Sequence, residues 1–223
     1  MTPKLIKVWA LPVRLIHWTL VTAVCVAWYW SGSIFDEMNH VYAGYVAGFL
    51  IVSKWIYGSV VRDFSGFNHF PPNPPAAGEY LLDLFKGRAR RYLGHNPAGA
   101  MAIYAMLILG TSTVLTGALA FEQSNLLLEY EQWGEVHNFL AYAWLYFIIL
   151  HVTGVLVGSY MHKENLIKSM ITGYKRRRLN CTTPIFERVD NILSEKISET
   201  LRLRYSEEAA YYLAEKRGWN RGF

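Results

Sequence analysis

Two histidines, His137 and His151, lie fourteen residues apart in "VHNFLAYAWLYFIILHVTGVLVG", a stretch without Lys, Arg, Asp or Glu. In a helix turning about 100° per residue, that spacing makes about 1400°, some 40° short of four full turns. Both imidazoles would therefore leave nearly the same face, about 21 Å apart along the axis. Imidazole nitrogen ligates metals and haem iron and also carries protons. Ionisable groups in so apolar a segment are costly and mark function by default.

The elements that must position them are long. The chain has 223 residues, 52% hydrophobic and 17% charged, which by length is one domain. The apolar residues fall in four blocks, about 8–30, 40–61, 98–121 and 135–160. Each is long enough to cross a bilayer core of about 30 Å at about 1.5 Å per residue. Barrel strands would alternate over roughly ten residues, and these blocks do not. The expected fold is an all-α integral membrane four-helix bundle over 1–178, followed by a cytoplasmic amphipathic helical tail over 179–223. The first block contains Arg14 and three tryptophans (Trp18, Trp28, Trp30), unlike a cleaved signal peptide.

Charge sets the expected orientation. The connection "SGSIFDEMN" has Asp36 and Glu37 and no base, and "FEQSNLLLEYEQWGE" has four Glu and no base. Lys4, Lys7, Arg62, Lys86, Arg88, Arg90, Arg91 and the run "YKRRR" lie on the other side. The positive-inside rule then places both termini in the cytoplasm, in a multi-pass protein of a bacterial inner membrane. The net charge of +5 reads as topology and contact with anionic lipid, not nucleic-acid binding. Cys25 in a span and Cys181 in the tail imply no disulfide framework, and no CxxCH is present for covalent haem attachment.

With that topology, depth selects partners for the two histidines. His17 enters with the first span and lies level with His151. His40 opens the second span and lies level with His137. Two histidine pairs at two depths, His17/His151 inner and His40/His137 outer, suit two stacked b-type haems with bis-histidine iron. A lone membrane histidine is often only a hydrogen-bonded packing residue, but packing alone gives no reason to pair by depth. Lys54, fourteen residues after His40, shares its face at the inner level, and Arg14 lies one turn before His17. Either could meet a haem propionate or snorkel to headgroups. Gly44 and Gly48 follow His40, and Gly154 and Gly158 follow His151. Such glycines leave room for a flat ring, or pack helix on helix, in this chain or in a homodimer.

The segments "VWALPVRLIHW", "NHVYAGYVAG", "RYLGHNPAG", "EVHNFLAYAWLYFIILHVTGVL" and "MHKENLIKSMITGYKRR" resemble the prokaryotic cytochrome b561 family, in particular the di-haem cytochrome b subunits of nickel–iron hydrogenases. The resemblance covers about residues 6–178 and all four blocks. It implies a di-haem bundle that passes electrons between the quinone pool and a redox partner, with ligand roles on His17, His40, His137 and His151. It also makes His95 and Asn96, in "GHNPAG", candidates for touching a quinone near the inner haem. Asn96 before Pro97 is equally a helix N-cap signal.

The remaining segments read more plainly. "PPAAGEYLLDLFKGRARRYL" suggests a short helix along the inner surface. His69 reads as a loop histidine, and His162 as the inner end of the fourth helix. In 179–223 the apolar positions Phe186, Val189, Ile192, Leu193, Ile197 and Leu201 have helical spacing. The function expected is an electron-transfer module between quinone and a periplasmic redox protein, a hydrogenase or a c-type cytochrome. A superoxide:quinone oxidoreductase is the alternative, disfavoured by the acidic outer loops. A haem-free transporter or assembly protein is a further one, and it predicts colourless protein.

Overall fold

The computed structural model describes residues 5–32, 37–123, 129–176 and 181–182. In chain order the elements are β1 (Leu5–Lys7), α1 (Leu11–Tyr29), α2 (Glu37–Val60), a 3-10 turn (Phe67–His69), α3 (Pro74–Phe85), β2 (Arg91–Tyr92), α4 (Pro97–Phe121), α5 (Tyr130–Met161), α6 (Leu166–Thr172), β3 (Tyr174–Arg176) and β4 (Cys181–Thr182). Four of the helices, α1, α2, α4 and α5, are long and apolar enough to cross a membrane. The expected all-α four-span bundle is what the chain forms.

The ends of the spans differ from the expected ones, for identifiable reasons. The first starts at Leu11 rather than 8, because the N–H groups of Val8 and Trp9 donate to Gly173 O (2.8 and 3.1 Å) in an extended segment. Pro12 then lies in the first turn, where its missing N–H costs nothing. The fourth starts at Tyr130 rather than 135, since the Gln132 side chain accepts from the Glu129 N–H at 3.1 Å and closes the first turn. The second begins at Glu37, an acid in the first turn that suits the helix dipole. Three asparagines cap helices by the same device. Asn73 Oδ1 accepts from Ala76 N at 3.1 Å, Asn96 Oδ1 from Gly99 N at 2.6 Å, and Asn165 Oδ1 from Lys168 N at 2.7 Å.

The spans pack α1 on α2, α2 on α4 and α4 on α5. Small residues carry the close approaches: a Cβ at Gly48 would stand 2.8 Å from Val114, and one at Gly110 would stand 2.6 Å from Trp144. At mid-depth Ile51, Leu107 and Trp144 form a buried cluster, ringed by Leu20, Val24, Trp55 and Ile148. Trp55 Nε1 donates to Thr111 Oγ1 at 3.2 Å, tying α2 to α4. Large apolar side chains such as Phe49, Ile56, Phe139 and Tyr146 face outward, as lipid contact requires.

One end of the bundle carries a polar closure. β1 pairs antiparallel with β3, and β2 pairs parallel with β4. Arg91 and Glu164, each 8% exposed, form a two-pronged ion pair with its shortest contact at 2.8 Å. The Arg91 guanidinium also donates to Arg176 O at 2.8 Å, and Arg176 N donates to Glu164 at 3.1 Å. Lys175 lies over the Trp9 ring, 5.5 Å from its centre. The described residues end with β4 at Thr182. The tail helices expected beyond that point lie outside the described residues.

Candidate functional site

At the end of the bundle away from this closure, His40 and His137 come together. Their ring centroids are 5.9 Å apart with the planes at 89°. Each ring is oriented from a neighbouring helix: His40 Nδ1 donates to Ala27 O of α1 at 2.7 Å, and His137 Nδ1 donates to Thr113 O of α4 at 2.8 Å. With Nδ1–H so committed, Nε2 of each ring is the unprotonated nitrogen, the one able to bind a metal. Gly117 makes this placement possible, since a Cβ there would stand 2.8 Å from the His137 ring.

At the other end lie His17, on α1, and His151, on α5. His151 and Lys54 are both within electrostatic reach of His17. His17 Nδ1 is buried without a hydrogen-bond partner. Trp18 stands edge-on to this ring at 5.1 Å, while its Nε1 donates to Met170 O at 3.3 Å. Lys54 is half-buried, with Asp63 as the carboxylate within its reach.

His95 belongs to this second cluster. Its ring lies against Phe70 (4.3 Å between centroids) and Trp9 (4.7 Å), and its Nδ1 is buried and unpartnered. Burial holds this imidazole well below its usual pKa. Lys54, Lys175 and His151 push the same way, against a hydrogen bond with the Phe64 backbone. The ring is therefore neutral at pH 7.

The other expected site residues have structural tasks in view. Asn96 is the α4 cap, its Oδ1 taken by Gly99 N. An Arg14 Nη1 donates to Ile171 O, in the last turn of α6, and its Nε is buried without a partner. His162 follows the last residue of α5, as expected. His69 lies in the 3-10 turn, 5.9 Å from Phe64. Sequence reasoning missed the Arg91–Glu164 pair, which looked like ordinary loop charge. It also missed Trp144, although that residue lies seven residues from each α5 histidine and so on the same stripe.

These residues fit haem. Two imidazoles on opposite sides of one metal, with bonds of about 2 Å, have centroids about 6 Å apart, which is the spacing of His40 and His137. A Cβ at Gly44, one turn after His40, would meet nothing within 4 Å, so α2 leaves space along the face that bears this imidazole.

Four membrane-length helices with half-buried histidines, one pair of them held ring to ring, define a class: a membrane bundle suited to hold a prosthetic group. The chain belongs to the prokaryotic cytochrome b561 family, which matches residues 8–173. It is also similar to a protein of Rhodobacter capsulatus described as a probable Ni/Fe-hydrogenase B-type cytochrome subunit. The two are 22% identical over 212 residues, covering 76% of this chain and 81% of the relative. This protein is thus a membrane b-type cytochrome, an electron carrier that binds haem b.

Proposed function

We propose that this cytochrome holds two haems b, one between His17 and His151 and one between His40 and His137. It carries electrons across the bacterial inner membrane between a quinone at the first end and a periplasmic redox protein at the second. The observation that carries this reading is the His40/His137 pair, perpendicular at 5.9 Å with each Nδ1 on a carbonyl of a further helix. The fourteen-residue repeat along α5 supplies the second ligand about 21 Å deeper.

Bis-histidine haem supplies a one-electron iron couple with no open position for oxygen chemistry. The chain does the rest. The Ala27 and Thr113 carbonyls fix the tautomer, leaving Nε2 of each ring for the iron. Lys54 and Arg14 offer cations to propionates at the His17/His151 end. Neutral His95, between Trp9 and Phe70, would accept a proton at Nδ1 from a quinol hydroxyl. Glu122, Glu129, Glu131 and Glu135, at the other end, would steer a basic docking surface. The described likeness of the Rhodobacter relative makes a hydrogenase the favoured partner, a c-type cytochrome being the other. The basic residues at the quinone end support a cytoplasmic location of both termini.

Haem b per polypeptide in detergent-solubilised protein tests the reading, with reduced-minus-oxidised spectra for wild type, His17→Ala and His137→Ala. Two haems are expected, with a different one lost in each variant. A single haem would make one pair structural and end the transmembrane reading. Colourless protein would end the whole proposal.

A further inference from the structure

We propose that the uncovered face of α3, closed by Lys86 and Arg88, lies in the headgroup layer of the bilayer and binds anionic phospholipid there. The inference stands apart from the haem reading and does not depend on the number of haems.

At about 100° per residue, the side chains of α3 fall into three arcs. Ala77, Tyr80 and Leu84 share an arc of about 60°. They are buried or half-buried, as the packing of α3 on α4 requires, and the Tyr80 ring stands 5.8 Å from that of Tyr92. Leu81, Phe85, Gly78 and Leu82 fill the next arc, about 100° wide. All four are exposed, Phe85 at 86%, and a Cβ at Gly78 would meet nothing within 4 Å. Glu79 and Asp83 lie about 110° and 150° from the middle of that open arc. A surface helix of a globular protein needs an apolar stripe only somewhat over about 100° wide. The stripe of α3 runs from Tyr80 round to Leu82, about 200°, and the described residues cover only its Tyr80 side.

A bilayer is the surface that can cover the rest. α3 packs on α4, a membrane-length helix whose Ile108 and Leu115 are exposed as lipid contact requires. With lipid against the open arc, Glu79 and Asp83 turn to water, the placement of an interfacial amphipathic helix. The end of α3 supplies the charge. Gly87 N donates to Leu84 O at 3.1 Å and Arg88 N to Asp83 O at 2.8 Å, with Gly87 in the left-handed region at φ 69°. This closure stops the helix at Phe85 and holds the exposed Lys86 and Arg88 directly after it. Lys86 projects about 40° from Leu82, at the rim of the open arc. From there its stem can lie along apolar chains while its ammonium reaches a phosphate. Each such base near an anionic surface favours binding about fivefold, which selects anionic over zwitterionic headgroups.

Local lipid selectivity in the purified holoprotein tests this. Leu82→Cys, with Cys25→Ser and Cys181→Ser, carries a fluorophore on the open arc, and Glu79→Cys in the same background carries it on the acidic side. Each is reconstituted in mixed phosphatidylcholine and phosphatidylglycerol with one lipid or the other brominated on its chains. Strong quenching is expected at 82 and little at 79. From the quenching at 82, phosphatidylglycerol should bind about five- to thirtyfold better than phosphatidylcholine. Lys86→Gln with Arg88→Gln should bring that ratio to about one while quenching persists. Equal binding of the two lipids before those substitutions, or a preference that survives them, would overturn the headgroup site. Quenching at 82 by aqueous iodide instead of brominated lipid would place the arc in water. Quenching by neither would place it under protein, the tail or a partner, and either result would overturn the proposal.

Discussion

Gly44→Leu separates haem binding from polypeptide packing more sharply than removing a ligand. Gly44 is four residues after His40, so it projects from nearly the same face of α2 about 6 Å along the axis. A Cβ added there meets no protein atom within 4 Å. Judged by the polypeptide alone, the substitution is favourable, since replacing a mid-helix glycine by a good helix former stabilises by about 0.5–1 kcal/mol. A flat ring ligated by His40 would reach across that position, and a leucine side chain inserted against it is overpacked by about 1–3 kcal/mol. That is a loss of roughly 5- to 150-fold in affinity at the His40/His137 site. The assay is haem b per polypeptide during titration with haemin, together with thermal unfolding of the haem-free protein. The expected result is unimpaired unfolding temperature with one haem weakened or lost. Gly78→Leu, in α3 and equally open, should keep both haems. If Gly44→Leu bound two haems as wild type does, with unchanged spectra, the space beside His40 would not be a haem cradle.

The other predictions concern how the sites are supported. Gly117→Ala puts a methyl 2.8 Å from the His137 ring, forcing the ring off Thr113 O at a cost of about 0.5–1.5 kcal/mol for the bond. A changed low-temperature spectrum of one haem checks it, and an unchanged one would remove Thr113 from the orienting role. Arg91→Ala leaves the buried Glu164 carboxylate without its ion-pair partner, with only the Arg176 N–H still on it, and should cost about 3–5 kcal/mol in thermal unfolding of the holoprotein; a loss below about 1 kcal/mol would make the pair incidental. Burial raises the Glu164 pKa, but the hydrogen bonds and charge of Arg91 outweigh it and hold the carboxyl below its usual range. Its contribution is therefore complete above the unfolded pKa of about 4.3 and is lost as pH falls through the lower folded value. Acidification below about pH 4 should thus narrow the stability gap between wild type and Glu164→Gln, and a gap that held constant would contradict this. Asn96→Ala should cost about 0.5–2 kcal/mol through the lost α4 cap and keep both haems, measured by unfolding and by haem content.

How the histidines meet is where sequence and structure divide the work. Their axial spacing follows from the helical repeat, which is why the level of His137 with His40 was legible from residue numbers and span direction alone. The facing of the rings was not. It depends on which carbonyls of other helices lie within hydrogen-bond distance, namely Ala27 O and Thr113 O, and on Gly117 yielding space. Nothing in the local sequence marks a carbonyl as an acceptor for a side chain on another helix.

Arg91 shows the same division at the polar end. As one of several loop bases it reported only the side of the membrane. Burial opposite Glu164, seventy-three positions away, depends on β1 and β3 pairing across the bundle end, and those strands of three residues each are too short to leave a periodic signal. Helix starts were misread where tertiary bonds competed with hydrophobicity, as at Val8 and Trp9 on Gly173 O.

By itself, then, the sequence determined the four spans, the depth of each histidine and the asymmetry of charge, because the bilayer forces backbone hydrogen bonds into helices and leaves hydrophobic length and basic residues to report the rest. Only the tertiary structure decided which imidazoles face each other at 5.9 Å, which nitrogen each presents and which glycines leave open space. Those depend on helix rotation and packing, set by contacts far apart in the chain.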